Sequence, residues 1–155
     1  MPTSRQRQVA EALVDEFNRM DIDAILSWRS DDCMRIIAPS TLGLAPMNNM
    51  QYRVSLERLS RVFNNFSLTV HDCIEDKEAK KICMYLRARA DTLAGEYINE
   101  YMWTLMFNDD GTKIVNVVEF VDTVMNRDFW PQLSAVMRQQ AEVKVEQQAE
   151  VKVEQ

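Results

Sequence analysis

Lys81-Ile82-Cys83-Met84-Tyr85-Leu86-Arg87-Ala88-Arg89-Ala90-Asp91 alternates side chains with a period of two. Successive strand residues point to opposite faces, so Ile82, Met84, Leu86 and Ala88 share one side, with Cys83 and Tyr85 opposite. The same period continues on both flanks. Strands are predicted over 67–74, 81–91, 96–107 and 113–121, separated by Glu75-Asp76-Lys77-Glu78, by the region of Gly95 and by Asn108-Asp109-Asp110-Gly111. Four consecutive strands with short connections make a meander.

Upstream the period is helical. Val9, Ala12, Leu13, Phe17 and Met20 mark a first helix that opens with a Thr3/Gln6 capping box, and Asp21 caps a short second helix carrying Ile22, Ile25 and Leu26. Ser30-Asp31-Asp32 interrupts the pattern, 33–38 reads as a strand, and the stretch containing Pro39, Gly43 and Pro46 reads as a loop. Tyr52, Leu56, Leu59, Phe63 and Phe66 fall on one face of a long third helix. Asn126 is the predicted cap of a last helix bearing Trp130, Leu133, Val136 and Met137, with Pro131 in its first turn.

Helices segregated from strands predict an α+β domain, a cone-shaped curved antiparallel sheet with three covering helices and a C-terminal one, enclosing an apolar pocket. Ten methionines suit an adaptable lining. The central strands are apolar on both faces, and a second copy of the sheet is the simplest cover for the outer one, so a homodimer is expected. One domain is expected over 1–139. Residues 140–147 are repeated without change at 148–155, and this duplicated octapeptide, with only valines among charges, reads as a disordered tail.

A net charge of -6 argues against nucleic acid as a partner. Three cysteines without a CxxC pair, and one histidine, offer no disulfide framework, thiolate zinc site or multi-His metal site. No signal-peptide or membrane-spanning run is present, so no membrane association and a cytoplasmic location are expected.

Several residues have the chemistry for proton transfer beside a carbonyl, which needs a base in a dry site and a donor where the enolate oxygen develops. Glu119 shares a strand face with Val115, Val117 and Val121; turned inward, it sits in surroundings that favour its protonated form, and it is the first candidate for acid or base. Glu100, between Ile98 and Met102, is the second, to divide the two roles with Glu119 or else to pair on the surface with Arg87 or Arg89. His71, on a face with Thr69 and Cys73, is a third candidate or a structural histidine. Arg89 and Asp91 share a face with Arg87, either inward to bind an oxyanion or outward as a solvated ladder or dimer contact. Tyr52, Tyr85 and Tyr101 are phenolic donors or packing aromatics, and Asp122 anchors the turn after the last strand.

The order of elements resembles the nuclear-transport-factor-2-like superfamily. Arg35-Ile36-Ile37-Ala38-Pro39-Ser40, Arg89-Ala90-Asp91-Thr92, Asn99-Glu100-Tyr101 and Val118-Glu119-Phe120-Val121-Asp122 resemble the small fungal SnoaL-like isomerases of meroterpenoid and polyketide pathways, over roughly 5–138. The resemblance implies a cofactor-independent isomerase that rearranges an apolar oxygenated polycyclic metabolite by moving protons. It also leaves open an epoxide hydrolase or cyclase, since limonene epoxide hydrolase has an inward carboxylate at the position matched by Glu119 and an inward arginine and aspartate like Arg89 and Asp91. A noncatalytic dimeric binding module is a further alternative within the superfamily. Ala38 stands before Pro39 where ketosteroid isomerase carries its aspartate base, so a base must come from another wall.

Overall fold

Short polar side chains fix where the helices begin. Residues 2–153 are described by the computed structural model, with side chains to residue 149. α1 (Arg5–Arg19) starts at Ser4, whose hydroxyl accepts from the Arg7 N–H at 3.1 Å, one residue beyond the predicted Thr3 cap. Asp21 caps α2 (Ile22–Ser27), and Asn48 with Gln51 forms the capping box of α3 (Asn49–Val62). α4 (Thr123–Val153) begins earlier than predicted, because Asp122 Oδ1 already accepts from the Val124 N–H at 2.9 Å. Asn126 and Pro131 therefore lie inside this helix. It continues into the repeated octapeptide, and its residues 138–149 are exposed throughout.

The strands are β1 (Arg29–Ala38), β2 (Asn64–Asp76), β3 (Lys81–Thr92), β4 (Gly95–Phe107) and β5 (Ile114–Val121). They form one five-stranded sheet in the order β1-β5-β4-β3-β2. The meander β2 to β5 is antiparallel, but β1 runs parallel to β5, so the sheet is mixed. A parallel neighbour needs a crossover connection, and the segment containing α3 supplies it. β1 also starts earlier than expected: Asp31 and Asp32 are exposed in the irregular stretch between the Arg29 and Met34 pairings and do not break the strand.

The helices cover one face of the sheet. Ile82, Met84, Leu86 and Ala88 of β3 are buried there with Val9, Leu13 and Phe17 of α1. On β4 the inward row is Tyr97, Asn99, Tyr101, Trp103 and Leu105, which alternates with exposed Glu100 and Met102. This alternation, with the helices spanning the other side, leaves a cavity between the sheet, α3 and α4.

Candidate active site

The cavity encloses about 690 Å3. Its walls are Phe63, Leu59 and Leu56 of α3, Trp130 and Leu133 of α4, and the inward residues of β1, β4 and β5. Methionine contributes little: Met47 and Met137 line it, Met84 lies in the core, and Met50 and Met102 face outward. The lining is mainly aromatic and branched aliphatic, which gives a stiffer wall than the predicted methionine one.

The sheet side of the lining carries the polar side chains Arg35, Glu119, Tyr97 and Tyr101, and α3 and α4 add Arg58, Asn126 and Arg127. Glu119, only 2% exposed, projects inward from β5. Ile37 of β1 pairs with Glu119 and Arg35 lies two residues earlier on the same face, so the two charges meet diagonally across the β1/β5 ladder. Arg35 Nε donates to Glu119 Oε1 at 2.8 Å and a terminal guanidinium nitrogen donates to Oε2 at 2.7 Å. This is the bidentate fork that guanidinium and carboxylate planes favour. Burial by itself weakens the hold of Arg35 on its proton, but the Glu119 charge and hydrogen bond more than offset it, and the guanidinium is held above its ordinary range.

Tyr52, from α3, is buried with the guanidinium carbons of Arg29 and Arg35 at 4.8 and 4.7 Å from its ring centre. Arg29 is itself buried; its Nε donates to Asn49 Oδ1 at 2.6 Å, and among the described residues no carboxylate pairs with it. Two guanidinium charges thus stand against Tyr52 near one carboxylate, and of the two Arg35 lines the cavity while Arg29 does not.

On β4 the Tyr97 and Tyr101 hydroxyls lie 2.7 Å apart, and Asn99 Nδ2 donates to the Tyr97 oxygen at 2.8 Å. Trp103 pairs with Glu119 and Tyr101 with Val121, which makes Tyr101 and Glu119 diagonal neighbours on the inner face, about 7–8 Å apart along the backbone. Burial raises the pKa of all three inward phenols, Tyr52, Tyr97 and Tyr101; the Glu119 charge adds to this at each, and the neighbouring Tyr97 adds further at Tyr101.

Of the residues singled out by sequence, Glu119, Tyr52 and Tyr101 line the cavity together. Glu100, His71, Tyr85, Arg89 and Asp91 do not. Glu100 has the opposite parity to Tyr101 and is exposed on the outer face. His71 is the extra residue where the β2/β3 register shifts between Val70 and Asp72; the shift turns it outward against Tyr85, ring centres 5.1 Å apart. Arg89 pairs with Glu96, and Asp91 accepts from Asn65 Nδ2 at 2.8 Å, both on the exposed side, as a solvated ladder. Arg35, Arg29, Asn99 and Tyr97 were missed as site residues. The available signal was a charge at strand spacing between Cys33 and Ile37, complementary to Glu119. Among the described residues no cluster of three or more His, Cys, Asp or Glu side chains could hold a metal ion, and no helix is long and apolar enough to cross a membrane.

No family model matches the chain. It is 30% identical over 136 residues to austinoid biosynthesis cluster protein H of Aspergillus calidoustus, covering 84% of this chain and 92% of that protein. Monooxygenase AacuP of Aspergillus aculeatus is 28% identical over 141 residues, covering 91% of this chain and 97% of its own. The crystal structure of BvnE pinacolase from Penicillium brevicompactum superposes with a TM-score of 0.81 at 32% identity, covering 86% of this chain and 96% of that one. The chain belongs to the family of austinoid biosynthesis cluster protein H and BvnE pinacolase, and its fold is that of the SnoaL-like and nuclear-transport-factor-2-like proteins.

Two outcomes follow from these electrostatics. Arg35→Met leaves the Glu119 carboxylate buried without its partner and should cost about 3–5 kcal/mol in urea denaturation, whereas R35M/E119L, which removes both charges, should recover most of the loss. The raised phenols make the folded state hold protons that the unfolded chain releases near pH ~10. Their stabilisation is complete below that pH and lost as the pH rises past it. The denaturation midpoint should therefore fall above about pH 10, and the fall should be shallower in Y52F.

Proposed function

We propose that the chain is an isomerase that rearranges an apolar, oxygenated polycyclic metabolite of meroterpenoid or polyketide type by acid/base enolisation. The observation that carries this is the convergence of one buried carboxylate, Glu119, and one hydrogen-bonded phenol, Tyr101, on a single apolar cavity. A carboxylate has two acceptor sites on each oxygen. Arg35 takes one on each, which leaves the others free to receive a proton from an acidic C–H or O–H of the substrate. Tyr101 donates to the carbonyl oxygen as its charge develops, and the Arg35 guanidinium in the same lining supports that charge. Glu119 then returns the proton at another atom, giving an isomer with nothing added and no co-reactant consumed.

The cavity volume of about 690 Å3 fits a polycyclic ligand. The name pinacolase on the BvnE structure is also that of an acid-promoted rearrangement, but a pinacol rearrangement of a diol expels water as a group migrates, so it would be read as a loss of mass. An apolar lining favours isomerisation over hydrolysis by keeping water from the carboxylate. The monooxygenase name carried by a relative makes the mass of the product the deciding measurement. Incubation with candidate pathway intermediates should give a product of unchanged mass; gain or loss of water, or gain of an oxygen atom, would sink the isomerase reading. E119Q and Y101F should each lower turnover by roughly 100-fold or more with the far-ultraviolet spectrum unchanged, and wild-type turnover in either variant removes that residue from the mechanism.

The outer sheet face carries exposed Met102, Phe120 and Ile74, and a second copy packed there would cover them as a homodimer. Sedimentation should show a dimer, and M102E/F120E should shift it to a monomer; a monomeric wild type excludes the assembly.

A further inference from the structure

We propose that Asn99 is a positioning residue that sets the direction of the β4 hydroxyl chain, so that the Tyr101 O–H is delivered into the cavity. The inference deepens the isomerase reading and rests on it only for what that hydrogen does.

The orientation of Asn99 is set from the backbone. The Asp122 N–H, already donating to the Glu100 carbonyl at 3.0 Å, also donates to Asn99 Oδ1 at 3.3 Å. A backbone N–H can only donate, so the amide oxygen must face Asp122 and the amide nitrogen must face Tyr97. Asn99 is 1% exposed and Tyr97 2%, so neither has solvent as an alternative partner. The Tyr97 oxygen therefore accepts from Asn99 at 2.8 Å, and its own hydrogen has one acceptor within reach, the Tyr101 oxygen at 2.7 Å.

The opposite order, with Tyr101 donating to Tyr97, would leave the Tyr97 hydrogen buried without a partner, a costly arrangement. With the native order each phenol oxygen accepts one hydrogen and the Tyr97 hydrogen is placed. Tyr101 accepts from Tyr97, and among the described residues its own O–H has no other partner, so it is free for a ligand in the cavity that Tyr101 lines. A chain polarised in one direction also strengthens its terminal donor. Asn99 touches no ligand in this scheme; it acts through Tyr97 and Tyr101.

N99D tests the order with almost no change of shape. The introduced carboxyl keeps the acceptor for the Asp122 N–H, but when ionised it can only accept from Tyr97. Tyr97 then accepts from Tyr101, and the Tyr101 O–H turns away from the cavity. Neutron diffraction from perdeuterated crystals reads this directly. In the wild type the deuteron between the two phenols should belong to Tyr97 and that of Tyr101 should point into the cavity; a Tyr101 deuteron lying between the two oxygens overturns the proposal. In N99D crystals held at alkaline pH the Tyr101 deuteron should move to that line, and a wild-type arrangement there shows that Asn99 does not set the order.

If N99D does not fold, N99L deletes the donor without adding charge, and both phenol orientations should then be occupied; a single wild-type orientation overturns the proposal as well. On any substrate that is turned over, N99D should lower kcat roughly 100-fold with KM little changed. The neutron maps need no substrate. If they show the expected order while E119Q and Y101F turn over normally, the isomerase reading fails and the proton order stands.

Discussion

The bidentate pair between Arg35 and Glu119 is the constraint around which the cavity is built. A carboxylate as enclosed as Glu119 is tolerable only with an opposite charge and satisfied lone pairs. Arg35 supplies both, and it can do so only because β1 lies beside β5 in the register that brings Ile37 opposite Glu119. The parallel placement of β1 in turn depends on the crossover through α3, and α3 brings Tyr52 against the Arg35 guanidinium. One ion pair thereby ties the edge of the sheet, the third helix and the floor of the cavity to the same geometry.

The second organising feature is the division of the sheet into two apolar faces with different polar content. On the inner face, polar groups are buried and linked: Asn99 to Tyr97, Tyr97 to Tyr101, and Arg35 to Glu119. On the outer face they remain in water, as Arg89 with Glu96 and Asn65 with Asp91 show. Buried polar groups rigidify a site when each has a partner, and these pairs hold donor and acceptor at fixed positions on the sheet side of the cavity, where the Trp103 indole N–H is buried without a partner among the described residues.

Periodicity made the helices, the meander and the α+β class legible, because alternation of two and recurrence of about 3.6 are properties of the backbone. It did not decide which face of a strand looks inward. Glu100 is flanked by Ile98 and Met102 much as Glu119 is by Val117 and Val121, yet Met102 is exposed and the two valines are buried. Where both faces are apolar, the pattern of one strand cannot choose between them. The choice is made by neighbouring strands and by the rings of Tyr97 and Trp103, which need the volume under the helices. His71 shows a second limit: the register shift beside it turns its side chain outward and has no clear signature in local composition. Arg35 was concealed for the converse reason, since a lone arginine in a strand reads as a solvated residue until its partner on a distant strand is known.

The clamp on Glu119 also shapes the chemistry available to the site. The guanidinium bonds to both oxygens of Glu119 hold its carboxylate in a fixed plane. The fixed plane restricts which substrate hydrogen can be removed, because only the outward lone pairs remain. The phenol row on β4 lies on the adjacent strand, with Tyr101 diagonal to Glu119 on the same face. In the isomerisation we propose, removal and delivery of a proton would occur at different atoms of one rigid ligand held between Glu119 and Tyr101, without water carrying it between them.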